Sequence, residues 1–556
     1  MRNNQGMKRF RFSVLILAGC FSAVATADVL KPFTIAMIQE WSQFNPVNNQ
    51  LASTTVLMNL VVRQMVRRTS QGTVVPDLAE EVPNEKNKKV KFVTEKGTRK
   101  AIASWSIKAK AKWGDGKDIT CADWWQGWQA GLNPHVAVDE RQPYSKIEKI
   151  EWKEDAEKNC TVTYTTDSWT FDRDLPELLP QHLEGAIFEK YKGEKEGYDR
   201  NSLYVKDPTN PGLYSGPYII SKFELGSHFI LKPNPHFYGE KPNIENIVVK
   251  HIGDTSSLRA HLMAGAVDMI SSNGLPADMA LALDEESKKD SVKFQVKFQD
   301  SPMFQGLFLN LENELLKKIE VRKALSLAIP KRELTKAFFK GKIFPAERIF
   351  ALQSPAYEEE KESYSPALAR KTLEAAGWKM GSKNIYEKGG KELILEFMTS
   401  AGIKTNEMLQ VFICDNFLKV GIKCAIKNQA PRVFLGQTVP RGEFTLGLYG
   451  LGILPDSSLN SFSSTEIPTS ENGWAGSNGT RWRSTKADEL LNKVNKEWDF
   501  KKRAQLLRDL GREIQADIPI IPIYHRREAL VLPKKLRGLT ADVSGAYFIF
   551  PEKWRL

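Results

Sequence analysis

Four cysteines, Cys121, Cys160, Cys414 and Cys424, are the side chains of this 556-residue chain whose type and spacing imply chemistry most directly. An even number of them beyond an export signal points to disulfides. Local pairs, Cys121 with Cys160 and Cys414 with Cys424, are expected among the three connectivities that four cysteines allow. Structural zinc is the rival use of such thiols, but neither pair has the short Cys-x-x-Cys spacing that zinc favours. The seven histidines are scattered. Their closest grouping, His228, His236, His251 and His261, suits strand-surface or hydrogen-bonded roles better than ligation, so neither a metal nor a cofactor is expected. The sequence contains no Gly-x-x-x-x-Gly-Lys phosphate loop, no His-Glu-x-x-His pair and no Gly-x-Ser-x-Gly elbow. Enzymes built on paired carboxylates need no local signature.

The elements that position these residues lie beyond an N-terminal export signal at 1–27. Arg2, Lys8, Arg9 and Arg11 precede an apolar run, and Ala25-Thr26-Ala27 offers small residues for cleavage. The apolar run is too short for the roughly 20 residues that a membrane-crossing helix needs. Release into the periplasm is expected. In the alternative, Leu17-Ala18-Gly19-Cys20 acts as a lipobox and Cys20 becomes the acylated anchor of a lipoprotein.

The 529 residues after position 27 exceed the ~250–300 at which one core stops growing, which predicts two or three domains. Net charge is +12, but the signal holds four cations and no acid; removing those four leaves 75 basic against 67 acidic residues, or +8. The charges are intermingled along the chain. No concentrated basic face is legible, and nucleic acid is not an expected partner.

Alternating strand and helix patterns without an internal repeat predict mixed α/β lobes. A strand is expected at 33–38, a helix at 54–66, and an alternating strand at 101–111 before the Gly114-Asp115-Gly116 turn. Thr120 is placed to N-cap a helix over 121–130, with Asp123 in its first turn. Trp124, Trp125 and Trp128 would put their rings into a core. Residues 160–166 read as a strand. A hairpin closed at Gly226 is expected between 218 and 232, and Pro330 should end a helix marked by Val321, Leu325 and Ala328. Ser365-Pro366 and Gly377 should bracket another helix.

In this order the chain carries Val75-Pro76-Asp77-Leu78-Ala79-Glu80-Glu81, Lys112-Trp113-Gly114-Asp115-Gly116-Lys117-Asp118-Ile119-Thr120, Gly216-Pro217-Tyr218 and the turn at 234–239. There follow the helix at 258–270, Val321-Arg322-Lys323-Ala324-Leu325-Ser326-Leu327-Ala328-Ile329, residues 369–378, and Asp517-Ile518-Pro519-Ile520-Ile521-Pro522-Ile523-Tyr524. This succession resembles the extracellular solute-binding proteins of peptide and nickel ABC importers, the group of the oligopeptide- and dipeptide-binding proteins. It spans nearly the whole chain after the signal.

The resemblance implies a two-lobed α/β periplasmic-binding-protein fold with an extra domain inserted in the first lobe and a cleft between the lobes. The first lobe would comprise 28–62, 206–298 and 519–556, the inserted domain 63–205, and the second lobe 299–518. It also implies a peptide or peptide-like solute as ligand, the membrane permease subunits of an ABC importer as partners, a monomeric state, and no catalysis.

By the same resemblance, Gln39, Glu40, Trp41 and Gln43 occupy the ligand-facing segment of the first lobe. Phe304, Tyr449 and Gly450 occupy the second. Peptide-binding relatives hold the ligand's amino terminus with an Asp after a Gly-Trp pair. Here Leu451 stands where the Trp would be, and the next acid is Asp456. A buried ammonium without a partner costs several kcal/mol, so a site lacking the acid would favour ligands without a free amine. The alternatives are a non-peptide solute such as an oligosaccharide, modified peptide or metal chelate, a secreted hydrolase with Glu40 and Asp456 facing across the cleft, and an adhesin.

Overall fold

The computed structural model describes residues 31–41, 44–48, 52–138, 141–173, 175–272, 275–455, 459–472, 474, 476–541 and 548–556. The expected export signal with Cys20, and the candidate site residues Gln43 and Asp456, lie outside them.

One long sheet organises the chain. Its strands are β1 (Phe33–Met37), then, beyond a separate four-stranded sheet of β2 (Val90–Glu95), β3 (Thr98–Ser106), β4 (Ile147–Glu151) and β5 (Asn159–Tyr164), the hairpin β6 (Tyr218–Glu224) and β7 (His228–Pro233), followed by β8 (Ile247–His251) and β9 (Met269–Ile270). The long β10 (Phe294–Leu309), β11 (Ile394–Thr399), β12 (Lys423–Ile426), β13 (Leu446–Gly452) and β14 (Ile520–Pro533) complete it. The order across the sheet is β12-β11-β13-β10-β14-β9-β1-β8-β7-β6, with a short strand Phe344–Pro345 added on β14.

Helices pack around these sheets. They are α1 (Ala52–Val61), α2 (Cys121–Leu132), α3 (Thr255–Met263), α4 (Ala277–Ser287), α5 (Ile319–Leu327), α6 (Lys331–Phe339), α7 (Pro366–Ala375), α8 (Lys404–Lys419), α9 (Thr485–Lys496) and α10 (Phe500–Asp517). Of these, α2 lies in the region of the four-stranded sheet. All five residues of β1, Thr34 included, are buried, as a strand flanked on both sides by parallel neighbours and covered on both faces tends to be.

One core runs without a break from Phe33 and Trp41 through Trp105, Trp113 and Trp124 to Trp554, so the four-stranded sheet and the β1 side of the long sheet share their interior. Beyond β10 and β14 there are two further cores on opposite faces of the sheet. One gathers Leu307, Leu395, Phe397, Leu409 and Phe417, the other Phe304, Phe308, Phe434, Leu507 and Leu510.

Local signals act as the sequence suggests. The Asp123 carboxylate accepts from the Thr120 backbone N–H at 2.8 Å and fixes the start of α2. Trp124 and Trp128 are buried, and Trp124 meets Trp105 edge-on at 5.8 Å. Gly226 takes a φ of +75° at the tip of the β6–β7 hairpin, a conformation that costs a glycine little. Pro330 ends α5 and opens α6.

Two expectations overshoot. α1 stops at Val61, against whose backbone Gly216 packs, and the chain then pairs Met65 with Asp77 and Ala79. β3 begins at Thr98 and ends at Ser106, before a turn in which the Ala111 N–H donates to the Lys108 carbonyl. Cys121 at the head of α2 is bonded to Cys160 of β5, Cα atoms 5.6 Å apart, and Cys414 of α8 to Cys424 of β12, at 5.7 Å.

Candidate ligand cleft at the strand crossover

β10 and β14 run antiparallel and pass together from one side of the molecule to the other. Phe294–Asp300 pairs with 527–533, Phe304–Phe308 pairs with 520–525, and the register slips between Asp300 and Phe304 and again at Gln305. β9 is antiparallel to β14, and β1 and β8 run with β9. β13 is antiparallel to β10, and β11 and β12 run with β13. Both sets of parallel strands therefore point their carboxyl ends at the crossover. On one side these ends are Ile38-Gln39-Glu40, His251 and Ser271-Ser272; on the other they are Ser400-Ala401, Gln429 and Tyr449–Gly452. In open α/β sheets, ligands bind outside the carboxyl ends of the strands.

β13 offers more than a position. β10 pairs along all seven of its residues, whereas β11 pairs only with Leu446, Gly447 and Leu448. Among the described residues, one edge of Tyr449-Gly450-Leu451-Gly452 has no strand beside it. Such an edge presents backbone N–H and C=O groups to which an extended chain can add as a further strand.

The side chains around this edge are mixed in character. Tyr449 is half-buried, stacks on Phe308 at 3.7 Å and meets Phe434 edge-on at 5.9 Å; burial raises the pKa of its hydroxyl. A Cβ on Gly450 would lie 3.4 Å from Met303 and 3.5 Å from the Gln305 amide oxygen. Gln305 is itself buried, and its Nε2 donates to Asn406 at the start of α8 at 3.4 Å. Arg526 lies half-exposed at the crossover, its Nη1 3.8 Å from the Met303 sulfur and its Nη2 3.3 Å from Glu528. His525 is buried opposite Phe304; burial first, and the Lys331 charge second, lower its pKa to about 4, so it is neutral near pH 7.

Gln39 and Glu40 are exposed after β1, with the Glu40 carboxylate beside the Gly226 turn. Tyr449 and Gly450 stand at the open edge. Trp41 and Phe304 do not offer a surface to a ligand, contrary to expectation. Trp41 is 2% exposed and packs edge-on to Phe229 at 5.1 Å and His251 at 6.1 Å, because the β6–β7 hairpin closes over it. Phe304 is fully buried. It alternates along β10 with Met303 and Gln305, so its ring falls on the opposite face, in the core with Phe308 and Phe434.

Gln305, Asn406 and Arg526 were not singled out in the sequence. A readable sign did exist for Arg526: the polar stretch His525-Arg526-Arg527-Glu528 interrupts a strand that is otherwise apolar on both sides. Among the described residues, no three His, Cys, Asp or Glu side chains gather in a way that could hold a metal. The Glu40 and Asp456 pairing falls partly outside the described residues.

Residues 73–473 match the family model described as "Bacterial extracellular solute-binding proteins, family 5 Middle". The chain belongs to this family. It is 23% identical over 445 residues to the oligopeptide-binding protein AppA of Bacillus subtilis (strain 168), covering 78% of this chain and 77% of that protein. The oligopeptide-binding protein of Thermus thermophilus, solved with a pentapeptide, superposes with a TM-score of 0.70 at 20% identity, over 94% of this chain and 96% of that one. NikZ of Campylobacter jejuni, solved with Ni(L-His), gives a TM-score of 0.71 at 22% identity, over 94% and 99%. This family 5 solute-binding protein thus has the two-lobed α/β fold that its sequence motifs led us to expect. None of its described helices is long and apolar enough to cross a membrane.

Proposed function

We propose that the protein is the periplasmic capture component of an ABC importer, that it binds peptides or peptide-like solutes between its lobes, and that it carries out no covalent chemistry. The observation that carries this reading is the unpaired edge of Tyr449–Gly452 at the mouth of the crossover. A ligand lying there as an added strand is held by its backbone, so sequence selectivity is low. The lobes, 28–62 with 206–298 and the C-terminal segment on one side and 299–518 on the other, would hinge where β10 and β14 slip register, near Asp300–Gln305 and Tyr524–Arg527. A ligand touching both lobes interacts more strongly with the closed arrangement and shifts the population toward it. The permease subunits would read that closed state on a monomeric protein.

Native mass spectrometry of protein purified from its own periplasm tests this directly. A retained peptide, or unchanged masses when a peptide library is offered and selectively held, supports capture. Shortened library peptides would instead establish a hydrolase, and a retained sugar or metal chelate would redirect the ligand class while leaving the importer role in place.

A further inference from the structure

We propose a second binding site, separate from the open edge of β13, that takes a small amphipathic carboxylate with its apolar tail inside and its charged head at the rim. The proposal goes beyond cleft capture and does not depend on it.

A cavity of about 330 Å³ lies between α5, α7 and α10 and against the first residues of β14. None of the residues at the crossover edge lines it. Its volume falls at the small end of the about 300–1,000 Å³ typical of small-molecule sites. Leu327, Ile349, Phe350, Leu368, Ile514 and Ile520 supply apolar walls.

Of the charged side chains that line the cavity, Lys331, Glu347 and Arg348 take part in ion pairs and, among the described residues, Lys323 does not. Deep in the wall, Lys331 Nζ donates to the Glu347 carboxylate at 2.9 Å and to the Ala346 carbonyl at 3.0 Å. Arg348 donates to Glu360 at 2.7 Å. Lys323, exposed at the mouth beside Ser326, makes no ion pair among the described residues. A carboxylate drawn into the interior would lose its hydration and would have to compete with Glu347 and Glu360 for Lys331 and Arg348. Held at the mouth, it keeps its water and meets Lys323, while the tail gains by leaving water at roughly 25 cal/mol per Å². A cationic head would meet an unneutralised lysine instead.

Octanoate and octanol are suitable probes for calorimetric titration of the whole protein. Octanoate is expected to bind more tightly than octanol. Lys323→Gln should weaken octanoate about threefold, as loss of one exposed charge contact does, and leave octanol unchanged. Leu327→Trp, which fills the cavity, should abolish binding of both; Thr372→Trp, at the half-buried rim, does the same should the first variant fail to fold. Absence of octanoate binding overturns the site. Equal affinity for the two probes with no effect of Lys323→Gln overturns the head-group assignment, and undiminished binding to a folded Trp variant overturns the location.

Discussion

The ring of Tyr449 lies over that of Phe308, centroids 3.7 Å apart and planes within 10° of parallel. The stack fixes the ring at the open edge of β13, where a ligand strand would run. Tyr449→Phe keeps the stack and removes only the hydroxyl. Its melting temperature should match that of the wild type, while ligand affinity falls by about 1 kcal/mol, or roughly fivefold, the worth of one hydrogen bond. Tyr449→Ala should also destabilise the second lobe by roughly 3 kcal/mol. Calorimetric titration and thermal melts of both variants separate the two contributions.

Trp41 belongs to the first-lobe core, edge-on to Phe229 and His251. Trp41→Ala should therefore cost about 3–5 kcal/mol in urea unfolding, as large-to-small core substitutions do. Full stability with lost affinity would return Trp41 to the ligand surface.

Asp77 is buried between charges. It accepts from Arg67 Nε at 2.7 Å and from the Tyr238 hydroxyl at 2.5 Å, and Arg63, which reaches Glu552 near the C-terminus, lies 3.9 Å away. Asp77→Asn would leave the buried Arg67 guanidinium without a carboxylate, Arg63 keeping Glu552, at a cost of about 3–5 kcal/mol. Because the network joins segments distant in sequence, limited proteolysis of this variant should release fragments from both ends of the chain.

Two buried groups pull the pH dependence in opposite directions. The folded-state pKa of His525, about 4, is below its ordinary 6.5, so the unfolded chain takes up the proton first and stability falls as pH drops from about 6.5 toward 4. Glu177 is raised by burial to about 7 from its ordinary 4.5, so its contribution is present at low pH and is lost as pH rises from about 4.5 through 7. Melting curves from pH 4.5 to 8 should show a flatter acid limb for His525→Asn and a flatter neutral limb for Glu177→Gln.

Much of the fold was legible where one local cause dominates. Thr120 with Asp123, Gly226 and Pro330 each act within a few residues, and the ordered motifs carried the two-lobed architecture. The site was less legible because it depends on pairing across the chain. Whether Phe304 or Met303 faces outward is set by β10's register against β13 and β14, which one sequence does not state. The open edge at Tyr449–Gly452 exists only because β11 ends its pairing at Thr399. Trp41 looked like a stacking platform because its polar neighbours hid the hairpin that covers it.

Phe33, at the start of the described chain, packs against Trp554 near its end, ring centroids 6.2 Å apart, and Val531 of β14 pairs with Ile270 of β9. Completing this side of the long sheet therefore brings together segments from opposite ends of the described residues. Contacts of such wide sequence separation must close long loops before they stabilise anything, so this region is expected to be slow to fold.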